Sequence, residues 1–315
     1  RGIAAGDLKR SENEIALAVH QFYYALLIAY KEKEAAEAAL AAAQENLREA
    51  EDGVRSGTLL DVVVTAARAN LLQSRHAVLS AENRISDVTS ELNDLMGFPG
   101  DDILEVTDAG LPPLEKLSSK AEAYEEARAG NGELLAARET LEKSRHAVQA
   151  AKYEYIPDVT IYAKYDYQDG VAFLENHVGI LGVELSWKIF DWGKRKGEVG
   201  QRLAQQAQAT KNLARIDKRT GIEIDSVLRR LERSEKMVNV AREALSLSRE
   251  NARLSENRLR AETVTAAKHA EAVAALRKAE TDELQASLAY RLALADLDRI
   301  RGVLAASRNG DQQVK

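Results

Sequence analysis

Histidines are the residues best suited to metal or acid–base chemistry, and the five here, His20, His76, His146, His177 and His269, are scattered. No His-x-x-x-His or His–Glu pair has ligand spacing, so the sequence predicts no metal site. Cysteine is absent, which excludes disulfides, thiolate nucleophiles and Cys-bound zinc. There is no Gly-x-Ser-x-Gly elbow and no Gly-rich phosphate loop after a strand. The sequence therefore predicts neither an enzyme nor a cofactor. The polar residues that do recur lie in two short, matching stretches. Arg55-Ser56-Gly57-Thr58 is matched by Arg260-Ala261-Glu262-Thr263, one short turn written twice. By residue type alone, Arg55 and Arg260 suit the cationic end of a helix. Thr58 and Thr263 suit the N-caps of helices that follow.

The elements that carry these turns repeat as a whole. Residues 40–97 recur at 245–302, a constant offset of 205 without a gap. Leu40, Leu47, Val54, Leu71, Leu92 and Leu95 fall on Leu245, Ala252, Leu259, Leu276, Leu297 and Ile300, and Gly97 falls on Gly302. A repeat of this length is one structural unit used twice.

The unit is a pair of long helices. Alanine, leucine, glutamate, lysine and arginine dominate the 315 residues, and only 5 % are aromatic. The 4 prolines all lie at or before Pro157. Ala36, Leu40, Ala43, Leu47, Ala50 and Val54 are spaced 4-3-4-3-4, a heptad seam with small residues. Leu71, Ser74, Val78, Ala81, Ile85, Val88, Leu92 and Leu95 form the returning seam, which stops at Gly97 with Pro99 beyond. The predicted helices run from about Ser11 to Val54, where Gly57 breaks the chain, then back to Gly97, from Ser118 to Ala129, from Glu133 to Tyr153, from Lys194 to Leu259, and back to Gly302. The net charge of −6, with cations alternating with acids along the helices, leaves no basic surface for nucleic acid. No run of 18 apolar residues occurs, so no transmembrane helix is predicted.

Between residues 158 and 190 the period changes to two. Val159, Ile161, Ala163, Tyr165 and Tyr167 alternate with mostly polar neighbours, and after a loop at 169–179 so do Leu181, Val183, Leu185, Trp187 and Ile189. Two strands of this length match a tilted membrane span, with one apolar and one polar side. Trp187, Phe190 and Trp192 at one end suit an interfacial aromatic girdle. A half-buried hairpin in a soluble sheet has the same alternation, but no other strong strand candidate exists to bury it.

Several stretches, in order, resemble the TolC-type outer membrane efflux family (the outer membrane factors). They are Gly57-Thr58-Leu59-Leu60-Asp61-Val62, Asn131-Gly132-Glu133-Leu134-Leu135-Ala136-Ala137-Arg138, Tyr155-Ile156-Pro157-Asp158-Val159, Gly182-Val183-Glu184-Leu185-Ser186-Trp187 and Ile189-Phe190-Asp191-Trp192-Gly193-Lys194-Arg195. The resemblance implies a mainly α fold of long antiparallel helical hairpins, an α-barrel protomer, with one transmembrane β-hairpin and a tandem repeat. It implies a homotrimer in the outer membrane and periplasm of a Gram-negative bacterium. The duct would be the passive exit of a tripartite efflux or type I secretion system. Its partners would be a periplasmic adaptor (membrane fusion) protein, an inner-membrane pump and outer membrane lipid.

The expected parts are a first helical hairpin at 1–98, an irregular connector at 99–131, a full second repeat at 132–302 and a polar tail at 303–315. The family places adaptor docking at the periplasmic turns, which carries over to Arg55, Gly57, Thr58, Asp61, Arg260, Glu262 and Thr263. Glu262 stands where the family has glycine. Glu271 is the aperture candidate, opposed by Lys268. Tyr165, Tyr167, Trp187, Phe190 and Trp192 are the membrane hairpin and girdle residues.

Three copies of one hairpin supply six strands, below the roughly 8 of the smallest closed membrane barrels. The expectation is an N-terminally incomplete protomer with a second Tyr-rich hairpin encoded upstream. A soluble coiled-coil scaffold or tether is the alternative; it explains the heptads and leaves the hairpin unexplained.

Overall fold

The computed structural model describes residues 2–100, 104, 119–167 and 177–305. Most of the expected 99–131 connector, residues 169–176 of the expected 169–179 loop and most of the expected 303–315 tail lie outside the described residues; the rest of that expected loop, 177–179, belongs to a strand. The order is α1 (Gly2–Arg55), α2 (Asp61–Met96), α3 (Lys120–Gly130), α4 (Gly132–Tyr153), β1 (Asp158–Tyr167), β2 (His177–Ser186), α5 (Lys194–Arg260) and α6 (Ala266–Arg301). The mainly α fold, with one antiparallel hairpin among the described residues, is the expected class. Helix α1 begins nine residues earlier than expected, at Gly2 rather than Ser11. Its early Gly6 does not break it, because Gly6 is buried where a side chain would strike the backbone of Gly132 and Ala136.

The chain divides into two compact units. Gly132–Arg219 with the first seven residues forms one, and Leu8–Asn131 with Thr220–Lys315 forms the other. In the first, Leu134, Ala137 and Ile216 make a small core with Leu213 against it. Its sheet is β1 paired with β2, in a register that sets Val159 opposite Leu185, Ile161 opposite Val183 and Tyr167 opposite His177. The alternation therefore brings both apolar rows to one face, and these side chains are exposed. Tyr162, the aromatic exception on the other face, lies across Gly182, where any side chain would meet its ring.

The second unit is a helical layer. Ion pairs join α1 to α2 (Lys33–Glu82 at 2.9 Å, Arg68–Glu51 at 3.1 Å). Others join α5 to α6 (Arg230–Asp296 and Arg242–Glu283, both 3.3 Å). Helix α1 meets α6 through Thr281, whose hydroxyl donates to the Lys31 carbonyl at 3.0 Å. The order across the layer is α2, α1, α6, α5. Helix α3 packs on α5 and α6, where Ala123, Ala127, Ile224, Leu231, Tyr290, Leu297 and others form the main core. Ser119 starts α3 with a capping box closed by Glu122. The seam predicted on α2, from Leu71 to Leu95, is the less exposed face of that helix throughout.

Helices α2 and α6 each span 36 residues and end in a left-handed glycine, Gly97 at φ 77° and Gly302 at φ 75°. Gly130 and Gly302 touch backbone to backbone, and the Asn131 side chain donates to the Ile300 carbonyl at 2.8 Å. A methyl group at Gly130 would strike the Arg301 carbonyl. Gly130→Ala should lower stability by about 1–3 kcal/mol through overpacking, measured by thermal unfolding; a neutral result would mean that this crossing can open.

Candidate functional site

Helix α1 is antiparallel to both α2 and α6, so the α1–α2 and α5–α6 turns share one end of the second unit. Asn46, nine residues from the end of α1, donates to Glu271, five residues into α6, at 3.1 Å. The two turns have one geometry. Gly57 and Glu262 are left-handed, with φ of 76° and 54°. The Thr58 and Thr263 amides each donate at 2.9 Å to the carbonyl five residues back, of Gly53 and Arg258. Those of Gly57 and Glu262 reach Val54 at 3.0 Å and Leu259 at 2.9 Å. This is the Schellman closure of a helix C-terminus.

The two threonines differ from the sequence expectation. Thr58 and Thr263 do not cap the returning helices. Their hydroxyls donate backward, to Gly53 at 3.0 Å and Arg258 at 3.1 Å. After a left-handed residue the chain folds back over the helix end, and the nearest open acceptor is behind. The caps are Leu60 and Thr265. Thr265 accepts from the Lys268 amide at 3.3 Å, whereas Leu60 provides no side-chain bond. Asp61 opens α2 as its first-turn acid. Arg55 pairs with Asp52 at 3.2 Å, and Arg260 pairs with Glu256. Both cations sit in the last turn of their helices.

Glu271 is tethered rather than free. Lys268 reaches it at 2.8 Å, and that bond, with the one from Asn46, holds its carboxyl below the usual carboxylate range. Glu271, and more weakly Glu49, raise Lys268 in turn. The local charge is compensated. Among the described residues no cluster of three His, Cys, Asp or Glu could hold a metal, and no helix is long and apolar enough to cross a membrane.

In the first unit the aromatic residues lie at both ends of the hairpin. Tyr165 and Tyr167 flank His177, the latter with ring centroids 5.1 Å apart. Trp187 follows β2, and Phe190 meets Trp192 edge-on at 4.9 Å, with Trp192 90 % exposed. Between Phe190 and Trp192, Asp191 turns inward. It accepts from the Arg195 amide at 2.9 Å and Nε at 2.7 Å, and from the Gly193 amide at 3.1 Å.

Arg195 is a residue that sequence reasoning placed only in a motif. Its guanidinium also donates to the carbonyls of Glu154 and Lys188 and lies 5.0 Å over the Tyr155 ring. One side chain thus ties the end of α4, the end of the hairpin and the start of α5. Its partners at Glu154 and Lys188 are too far along the chain to show as a motif. The only local signal was the four-residue spacing of Asp191 and Arg195.

The description of the outer membrane efflux protein family matches residues 123–303. No curated protein matches the chain by sequence. Among solved structures, a membrane protein from Pseudomonas aeruginosa is similar at TM-score 0.77 and 15 % identity, over 95 % of this chain and 71 % of that one. The Campylobacter jejuni CmeC outer membrane channel is similar at TM-score 0.72 and 16 % identity, over 99 % and 70 %. The outer membrane protein VceC from Vibrio cholerae is similar at TM-score 0.71 and 20 % identity, over 95 % and 74 %.

The Arg195 amide and then its guanidinium hold the Asp191 carboxyl below the usual carboxylate range. A depressed pKa adds stability that is full above the ordinary value and is lost as the pH falls through the depressed one. Arg195→Ala should therefore melt well below wild type at neutral pH. The gap between the two should shrink as the pH falls below about 4. A gap that is constant with pH would remove the ion pair from this account.

Proposed function

The chain belongs to the outer membrane efflux protein family, and from that membership we propose that it is a protomer of a homotrimeric exit duct, passive and without catalytic residues. The observation that carries this reading is where apolar surface is left open. On α5 the buried Leu231, Ser234, Val238 and Leu245, with the half-buried Ala241 and Ser248, follow the heptad of the α6 seam. A second row, Val240, Leu247 and Leu254, recurs every seven residues and is exposed. On α2, Leu72 and Leu79 are exposed at the same interval. The inner helices α1 and α6 carry neighbours on both flanks, whereas α2 and α5 carry them on one. An α5 of one copy set antiparallel to an α2 of the next would cover both rows, the logic of a closed helical ring.

The hairpin supports the same reading. Its apolar face of Val159, Ile161, Leu181, Val183 and Leu185 has no cover among the described residues. Two strands alone are not stable in water, and an outward apolar band between aromatic girdles suits lipid. Tyr165 and Tyr167 would form one girdle; Trp187, Phe190 and Trp192 would form the other.

The turns at Gly57 and Glu262, with Arg55, Thr58, Asp61, Arg260 and Thr263, would then face a periplasmic adaptor, and through it an inner-membrane pump. With Lys268 against Glu271, the aperture would not act as a strongly acidic ring. Efflux of small molecules and type I secretion both fit such a duct. The parts would be those expected: a helical hairpin at 1–98, a connector at 99–131, a second repeat at 132–302 and a tail at 303–315.

Leu247→Lys tests the duct at a residue that a single copy leaves exposed. Wild type should fractionate with the outer membrane as detergent-extractable trimers and lower the retention of a fluorescent dye by cells. The variant should keep its helix content, lose the trimer and retain dye like a deletion strain. A wholly soluble wild-type product would favour the scaffold, and dye export indifferent to the chain would sink the duct.

A further inference from the structure

The repeat supplies an internal control for each position in the turns. Because Gly57–Asp61 and Glu262–Ala266 share a left-handed residue and the amide bonds of Gly57 and Glu262 and of Thr58 and Thr263, a difference of residue type at the helix start that follows is not dictated by that closure. The largest departure from helix chemistry is at the N-cap. Thr265 is what a helix start favours, and it accepts from Lys268. Its counterpart Leu60 has the same extended backbone (φ −92°, ψ 152° against φ −79°, ψ 159°) and gives α2 no side-chain cap. It is 75 % exposed. The neighbouring Leu59 has a use within the chain, since it lies against Gly53, where a side chain would collide with it. Leu60 forgoes a cap and gains no comparable cover.

We infer that Leu60 is a specificity-determining residue of the α1–α2 turn, placed to bury itself in an aliphatic surface on a different protein. This rests on reading that turn as a docking end. The occupant follows from position and charge. Copies standing side by side cover the flanks of α2 and α5, not the end of the layer. Arg55 and Arg68 are held by Asp52 and Glu51, at 3.2 and 3.1 Å, and Asp61 adjoins the patch. Leu60 and the exposed Val62 therefore sit among compensated charges and an acid, which favours neither an anionic lipid surface nor an acidic peptide. The α5–α6 turn, with Glu262, Thr265 and Lys268 in its place, lacks such a patch. The two turns would hold the partner by different chemistry, the first apolar and the second polar.

The test places a benzoylphenylalanine photo-crosslinker at Val62 of the full chain in living cells, with Leu, Thr or Met at position 60. The expected crosslink is to a partner peptide that presents aliphatic side chains. Leu60→Thr should cut its yield on the order of tenfold, the worth of one buried leucine, and Leu60→Met should restore it. Leu60→Thr should also raise the melting temperature by about 2 °C, because it restores the cap. Crosslinks to another copy of this chain or to lipid, or a yield unchanged by Leu60→Thr, would overturn the inference. Trimers in the outer membrane fraction are checked for every variant. If wild type forms none, the duct reading has failed; if all form them and the Thr variant still crosslinks fully, only the role of Leu60 has failed.

Discussion

Every helix seam here is narrow, and much of the rest follows from that. The inner helices bury alanine more than anything larger: Ala29, Ala42, Ala43 and Ala50 on α1, and Ala267, Ala272 and Ala279 on α6. Small side chains let backbones approach closely but remove little apolar area per residue from water. A layer built this way has no thick centre in which surplus leucine can hide. Larger residues concentrate where α3 adds a third contact, around Leu231, Tyr290 and Leu297. Elsewhere the surplus remains on the edge helices α2 and α5, and on the outer face of the hairpin. The open surfaces of helix and strand thus have one cause, and the proposed ring of copies set in lipid would cover both.

The repeat separates what the fold demands from what it permits. The closing glycines Gly97 and Gly302 agree to within a few degrees of φ, and each returns two amides to the helix behind it. That agreement marks a demand. At the turns the demand is a left-handed residue, and glycine meets it at little cost. Glu262 meets it too, at about 1–2 kcal/mol for a side chain in that region. A chain that keeps such strain in one copy and an uncapped helix start in the other has two turns that are alike in backbone and different in surface.

Much of this architecture was legible in the sequence, because heptad spacing records which side of a helix is covered. The seams at Leu71–Leu95 and at Ala36–Val54 could be read residue by residue, and so could the apolar face of the hairpin; the second strand, expected from Ile180 to Ile189, runs His177–Ser186, because a period of two records a face better than its ends. Three things were not legible. The start of α1 was hidden because Gly6 reads as a helix breaker until Gly132 and Ala136 are seen against it. The direction of Thr58 and Thr263 was hidden because a hydroxyl beside a turn suits the helix before it as well as the helix after it. Arg195 was hidden because its partners lie 41 and 7 residues away. Local pattern records periodic burial well and a single converging side chain poorly.

That converging side chain explains how a hairpin with no further strand beside it among the described residues keeps a fixed direction. Between β2 and α5 the chain passes through two left-handed residues, Trp192 at φ 57° and Gly193 at φ 83°. Such a joint would be soft if only backbone held it. Asp191 and Arg195, 20 % and 11 % exposed at their side chains, close it from inside. Burying an ion pair is favourable only when the remaining donors and acceptors find partners, and here the guanidinium also meets two carbonyls and a tyrosine ring. The inward turn of Asp191 leaves Phe190 and Trp192 on the outside. The contact that stiffens the joint therefore also sets the aromatic residues at the edge of the hairpin, so the proposed anchor in lipid and the direction of α5 would be fixed by the same few atoms.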